Sequence, residues 1–314
     1  MKKSKLALLL CCLMAVALVA SACKSSPTSS SGDSDTKSGP PIIISSKEFT
    51  ESVILGRLTY DYLDYLGYTV ENQLGFGETA ILRAAMASGE ISMYWEYTNS
   101  VLMTYDIRDT PIYDGVECYD TVKAWDKENN DFVWMDMSNV NDTFAIVITD
   151  AVQKQYGITK VSELAELIRN GEQLRIAGGE EAWSRPDIYP RVQSVYEFTH
   201  PTNLLISLQM GMALEALKNG EAEINPGNST DPKIAAYNLH VLEDDRQAFP
   251  PYHACITIRQ DILDAYPGLA AELNKLTGYL DEEIVMKLIG EIDLDGKKDE
   301  DVSKAWLKSV DLIK

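Results

Sequence analysis

Basic residues are scarce: 28 Lys and Arg stand against 48 Asp and Glu in 314 residues, a formal charge of −20. A phosphate backbone is bound through clustered Lys and Arg, so this deficit argues against nucleic acid, and equally against docking on an anionic lipid surface. Histidine is scarcer still. His200, His240 and His253 are scattered, no Cys/His cluster has metal-ligand spacing, and the chain calls for no cofactor. Of five cysteines, Cys11 and Cys12 fall in the N-terminal apolar stretch, and Cys118 and Cys255 stand too far apart to carry a framework signal. Export would permit those two to pair; otherwise they read as two buried small apolar side chains. Only the first stretch of the chain is apolar enough to approach a membrane span. The chain lacks Gly-x-x-x-x-Gly-Lys-Ser/Thr and Gly-x-Ser-x-Gly, which removes P-loop ATP hydrolysis and the nucleophile elbow of a hydrolase. What is present, 45% apolar and 24% charged residues, is ordinary for a folded chain of about two domains.

The N-terminus reads as an address. Lys2, Lys3 and Lys5 precede an apolar run from Leu6 to Ala20, too short for a comfortable transmembrane helix. Small residues Ala20, Ser21 and Ala22 then precede Cys23, an arrangement that resembles a bacterial lipobox. The resemblance implies cleavage after residue 22 and lipidation of Cys23, with acyl chains anchoring an exported protein to the outer face of the membrane. Ala20 departs from the commoner Leu, and an ordinary secretory cleavage site is the other reading. Loss of residues 1–22 removes three Lys and no acid, leaving a charge of −23. Residues 24–40 are rich in Ser, Gly, Thr and Pro, cannot bury a core, and read as a flexible tether with a reach of roughly 20–25 Å.

Beyond it the pattern alternates between strands and helices. Residues 41–46 read as a strand, residues 50–66 as an amphipathic helix capped by Thr50 or Ser52 and stopped by Gly67, and residues 68–74 as a strand. A helix over 79–88, closed by Gly89, leads to a strand at 91–94, the pattern of a parallel α/β sheet. Strands are expected at 144–148, 239–242 and 254–258, the last returning the chain to its first lobe. Helices are expected over 161–170 with Ser162 as cap, 204–217, 262–280, 282–289 and 302–313. An internal echo suggests two related lobes: Ala84 to Ile91 before Tyr97-Thr98-Asn99-Ser100, and Ala213 to Glu221 before Gly227-Asn228-Ser229-Thr230-Asp231. Each is a helix ending at Gly-Glu, a strand, and a small polar loop at the end where open α/β sheets bind ligands.

Ser46-Lys47-Glu48-Phe49-Thr50-Glu51 resembles the opening motif of the substrate-binding proteins of glycine betaine, carnitine and choline ABC importers. In family order there follow Gly75-Phe76-Gly77-Glu78-Thr79, Glu96-Tyr97-Thr98-Asn99-Ser100, Asn141-Asp142-Thr143-Phe144-Ala145, Arg185-Pro186-Asp187, Ser229-Thr230-Asp231, Glu243-Asp244-Asp245 and Phe249-Pro250-Pro251-Tyr252. The resemblance covers residues 42–314. It implies a type II periplasmic-binding-protein fold: two α/β lobes, residues 42–144 with 250–314 and residues 145–249, joined by two crossover strands and closing on a small molecule. It implies a monomeric, non-enzymatic receptor that delivers a quaternary amine to membrane permease subunits driven by a separate ATPase. Binding an amino acid or another zwitterion on the same fold is the second reading, and a lipoprotein hydrolase the remote one.

A quaternary ammonium has no N–H to donate, so aromatic faces hold it best, whereas a carboxylate needs cationic or hydroxyl donors. By the resemblance Tyr97 and Tyr252 are cage walls. Phe144 stands where the family usually has Tyr and reads as a wall or as core. Asp142 adds a negative charge or caps its loop. Lys47 and Arg185 align with the carboxylate-binding cations, or are a solvated lysine and an inter-lobe ion pair. Ser100 replaces Thr, or the Asp of choline-specific members, and favours a zwitterion because a hydroxyl donates to a carboxylate. Asn228 stands where a Tyr is often found, so that Trp95, Trp183 or Tyr189 substitutes for the wall or the ligand is an altered or larger betaine such as carnitine.

Overall fold

The computed structural model describes residues 37–314 apart from Met210, so the signal segment, Cys23 and most of the tether lie outside the described residues. The first lobe begins β1 (Ile42–Ser45), α1 (Thr50–Tyr65), β2 (Val70–Gln73), α2 (Thr79–Ser88), β3 (Met93–Tyr97), α3 (Thr98–Thr104), α4 (Gly115–Asn129) and β4 (Phe132–Trp134). The second holds β5 (Phe144–Ile148), α5 (Asp150–Tyr156), α6 (Val161–Arg169), β6 (Ile176–Gly178), α7 (Glu180–Ser184), α8 (Tyr189–Val195), β7 (Leu205–Ser207), α9 (Ala213–Lys218), β8 (Ile224–Asn228), α10 (Lys233–Ala236) and β9 (His240–Val241). The chain then returns as β10 (Ala254–Arg259), α11 (Gln260–Ala265), α12 (Leu269–Thr277), α13 (Glu282–Asp293) and α14 (Asp299–Ser309).

The two sheets are built alike. One runs β2-β1-β3-β10-β4 and the other β7-β6-β8-β5-β9. In each, a central strand (β3 or β8) has a parallel neighbour on one side and an antiparallel strand from across the molecule on the other. The internal echo falls on those two central strands. Each is preceded by a helix that ends on a glycine, Gly89 at φ 83° and Gly220 at φ 73°, a left-handed conformation that costs a residue with a Cβ. Fully buried Ile54, Leu55 and Leu58 on α1 press on Ile42 and Ile44 of β1, each side chain contributing about 1.5–3 kcal/mol. A separate core around Ile146, Ile148, Ile176 and Ile224 fills the second lobe.

The chain crosses between lobes at residues 141–144 and 250–253, and the two crossings hold each other. Asn141 pairs antiparallel with His253, Asp142 N–H donates to the Tyr252 carbonyl (3.0 Å), and Tyr252 N–H donates to Asn141 Oδ1 (2.7 Å).

Several sequence expectations are corrected. Residues 204–217 are not one helix: a short 3-10 turn, β7 and a loop precede α9, and β7 is the edge partner that β6 needs. Periodicity cannot tell a short apolar strand from a helix turn. The expected 262–280 helix is broken at Pro267-Gly268, where Gly268 has φ 97°. Neither Thr50 nor Ser52 caps α1: Thr50 Oγ1 donates to Asp293 (2.9 Å) and Ser52 Oγ accepts from Lys47 N–H (2.9 Å). The cap position of α6 is Lys160, two residues before Ser162, and Glu163 accepts its N–H. Cys118 and Cys255, by contrast, form no disulfide with each other and lie buried in one apolar cluster, as two small apolar side chains would.

Candidate functional site

Strand polarity brings the site together. Lys47 follows the C-terminal end of β1, Tyr97 ends β3, Asn228 ends β8, and Arg185 follows α7 beyond the end of β6. The antiparallel partners start at that same edge: Phe144 opens β5 directly opposite Asn228, and Ala254 opens β10 opposite Tyr97, two residues after Tyr252. Both sheets turn these edges toward one cleft, the position at which open α/β sheets take ligands. Lys47, Tyr97, Ser100, Asp142, Phe144, Arg185, Asn228 and Tyr252 all line it. Its volume is about 110 Å³, the scale of a small molecule. Trp95 and Tyr189 are buried in the cores of the first and second lobes and Trp183 packs beside Tyr189, so none of the three lines the cleft as a replacement wall.

The aromatic walls stand in two groups. Phe144 and Tyr252 meet edge to face at 5.0 Å and 87°. Tyr97 lies 6.0 Å from Phe49, a lining aromatic that the sequence reading left unassigned although it sits inside the Ser46–Glu51 motif. Tyr97 and Tyr252 are almost wholly buried, and both hydroxyls are spoken for: Tyr97 donates to Glu51 Oε1 (2.7 Å) and Tyr252 to Asp187 Oδ2 (2.5 Å). Burial first, and then the adjacent carboxylate, holds both phenols far above their usual range.

The cations arrive compensated. Lys47 Nζ lies 2.8 Å from Glu96, which also accepts from Tyr94 OH (2.5 Å) and Tyr97 N–H (2.8 Å). Arg185 forks onto Asp187 (3.1 and 2.6 Å) and reaches Glu181 (2.8 Å). Its pairing lies within the second lobe, which corrects the inter-lobe alternative. Burial opposes its charge, but Asp187 and Glu181 outweigh that and keep the guanidinium protonated. Glu181 is likewise held below the usual carboxylate range by Arg185 and Lys47 against the cost of its burial.

Acids exceed cations in this lining. Glu51, Asp142, Glu181, Asp231 and Asp293 face Lys47, Arg185 and Lys233. Asp142 accepts from Thr230 Oγ1 (2.9 Å) and from the Asn228 amide, so Asn228 serves as a hydrogen-bond donor where an aromatic wall was expected. Lys233 of α10 pairs with Asp293 of α13 at 2.5 Å, a contact between the lobes. Among the described residues no group of His, Cys, Asp and Glu is arranged to hold a metal ion, and no helix is long and apolar enough to cross a membrane.

Two α/β lobes with aromatic walls and buried charges facing a small cleft define the class of solute-binding receptors. The family model for the substrate binding domain of the ABC-type glycine betaine transport system matches residues 40–309, and the chain belongs to that family. It is 29% identical to the glycine-betaine-binding protein of Pseudomonas aeruginosa over 276 residues, 86% of this chain and 88% of that one. It is 28% identical to the carnitine transport binding protein OpuCC of Listeria monocytogenes over 312 residues, 98% of this chain and 97% of that one. A crystal structure described as a glycine betaine/carnitine/choline ABC transporter superposes with a TM-score of 0.67 at 26% identity, covering 88% of this chain and all of the other. The fold is therefore the two-lobed type II periplasmic-binding-protein architecture. Binding proteins of this family are extracytoplasmic and serve importers.

Proposed function

We propose that this protein is the receptor of an ABC importer that captures a quaternary-ammonium compatible solute between its lobes and delivers it to a membrane permease, for osmoprotection. The observation that carries this reading is the cleft itself. Aromatic faces from both crossings and from β3 stand beside two buried carboxylates, Glu51 and Asp142, that have hydroxyl and amide partners but no ion pair among the described residues. That is the environment a cation without N–H groups requires. Tyr97, Phe144 and Tyr252 are the walls, Asp142 faces the positive head, and Ser100, Lys47 and Arg185 serve the other end of the solute. Asn228 orients Asp142. The receptor works as a monomer without catalysis, its lobes spanning 42–144 with 250–314 and 145–249. Residues 1–22 are its export signal, and lipidated Cys23 and the tether hold it at the outer face of the cytoplasmic membrane.

Ser100 favours a zwitterion such as glycine betaine or carnitine. The excess of acids over cations in the lining favours a solute of net positive charge such as choline. Calorimetry of the purified protein with glycine betaine, carnitine, choline and proline decides between them. Saturable binding of at least one quaternary amine is expected, and no heat with any of the three would sink the ligand class.

A further inference from the structure

Glu51 and Asp142 both line the cleft, 3% and 4% exposed, and neither makes an ion pair among the described residues. Thr230 Oγ1 lies between them, 2.9 Å from Asp142 Oδ1 and 3.5 Å from Glu51 Oε2. A hydroxyl has one hydrogen to give, and here it goes to the nearer oxygen, Asp142 Oδ1. Tyr97 OH supplies Glu51 Oε1 and the Asn228 amide supplies the second oxygen of Asp142. Glu51 Oε2 is left facing a lone pair of Thr230, a contact that is favourable when the carboxyl itself carries the hydrogen. The surrounding charges relieve the pair only in part: Lys47 pulls Asp142 down, against burial and Asp231, which push it up. Lys47 is held by Glu96, Lys233 by Asp293, and Asp231 and Glu282 add further negative charge. Two buried carboxylates in this setting cannot both stay ionised without a counter-charge.

We propose that Glu51 and Asp142 share a proton in the ligand-free receptor, and that the cationic head of the solute takes that proton's place. This rests on the reading of the cleft as a quaternary-ammonium site and adds its regulation: binding is an exchange of a proton for a cation. Burial, and then the charge of Asp142, pushes Glu51 well above its usual range, and burial pushes Asp142 up to about 7. The sign follows. Below neutrality the solute must expel the proton, and affinity falls by up to about tenfold per pH unit. Above the range in which the pair titrates, no proton is left to expel and affinity is flat. The receptor therefore grips its solute least in acid surroundings.

Tetramethylammonium and glycine betaine have no group that titrates near neutrality, so any proton exchanged belongs to the protein. The test is calorimetry of the purified protein with each amine, in buffers of unlike ionisation heat, from about pH 5.5 to about pH 8.5. Release approaching one proton per solute at about pH 6 is expected, falling toward zero at the alkaline end, with the affinity slope stated above. Glu51→Gln, which removes the carboxyl placed to carry the hydrogen, should sharply reduce the release and flatten the profile. Should that variant fail to fold, carboxyl NMR of the ligand-free wild type replaces it. A side-chain carboxyl titrating near neutrality, whose transition vanishes when amine saturates the protein, supports the exchange; its absence refutes it. Binding with a flat affinity and no proton released overturns the exchange alone. Failure of every quaternary amine to bind at any pH overturns the ligand class, and the exchange with it.

Discussion

Lys233→Met tests whether the contact between the lobes acts as a latch. Lys233 Nζ and Asp293 Oδ2 are 2.5 Å apart, and the two side chains are 10% and 12% exposed. Asp293 also accepts from Thr50 Oγ1 at 2.9 Å. A fully buried ion pair that loses one partner costs about 3–5 kcal/mol, because the other charge is stranded. Here Asp293 keeps its hydroxyl donor and some solvent, so the lower figure for a charge-assisted hydrogen bond, about 1.5–3 kcal/mol, applies. With the lobes apart both groups are hydrated and the pair is worth little. The loss therefore falls on the closed state and weakens solute binding about 10- to 150-fold, chiefly through faster dissociation. Calorimetry and stopped-flow dissociation measure it, and Lys233→Arg should keep most of the affinity. Lys233 also lines the cleft, so a second explanation must be separated: direct contact with a solute carboxylate. A latch weakens choline and glycine betaine equally, whereas a carboxylate contact weakens only the zwitterion. Unchanged affinity for both, or loss confined to glycine betaine, refutes the latch.

Two further outcomes follow from the same geometry. Phe144→Leu keeps apolar volume but removes the face beside Tyr252, and should weaken quaternary-amine binding roughly 2- to 30-fold, for about 0.5–2 kcal/mol per cation–π contact; calorimetry checks it, with a melt to show the fold intact. The Asp142 carboxyl should contribute stability to the ligand-free protein as pH falls from about 7 toward 4, the sense expected when a carboxyl's folded pKa lies above its unfolded one: its contribution is fully present below the unfolded value and lost as pH rises through the folded value. Asp142, pushed up to about 7 by burial, sets that window, and denaturant melts of wild type and Asp142→Asn should differ in slope across it.

Much of the lining of the candidate cleft was legible because short motifs stay at fixed strand ends. Tyr97, Phe144 and Asn228 sit at strand termini, where a polar or aromatic residue breaks an apolar run, and a strand end on the ligand-binding edge of an α/β sheet has a known place. Partners were not legible. Nothing in the sequence says that Glu96 takes Lys47 or that Asp187 takes Arg185, since both acids lie in the motifs as plainly as the cations do. Glu51 and Phe49 stand in the first motif too, yet a helix-start acid and a flanking aromatic have ordinary structural uses, so the sequence alone assigns neither of them to the cleft. The 204–217 error has the same root. Leu205, Ile206 and Leu208 fit a helix face as well as an edge strand, and only the demand of β6 for a parallel neighbour decides.

The internal ion pairs bear on which amines the cleft admits. Lys47 lies 5.0 Å from the Tyr97 ring centroid, and Arg185 lies 5.8 and 5.9 Å from Phe144 and Tyr252. The rings thus already face cations, each fixed by its own carboxylate. A trimethylammonium head cannot donate hydrogen bonds, so it leaves the Glu96 and Asp187 pairings intact and competes only for aromatic surface. On the proposed reading its charge is met by Glu51 and Asp142, almost wholly buried and without an ion pair among the described residues. A primary amine would use the same acids through its N–H groups and would depend less on the rings. Carboxylates alone therefore attract any small cation, and discrimination for the methylated head rests on the walls. Phe144→Leu accordingly distinguishes the two ligand classes: a receptor for quaternary amines loses affinity on that change, while one for an amino acid, held through hydrogen bonds, keeps most of it.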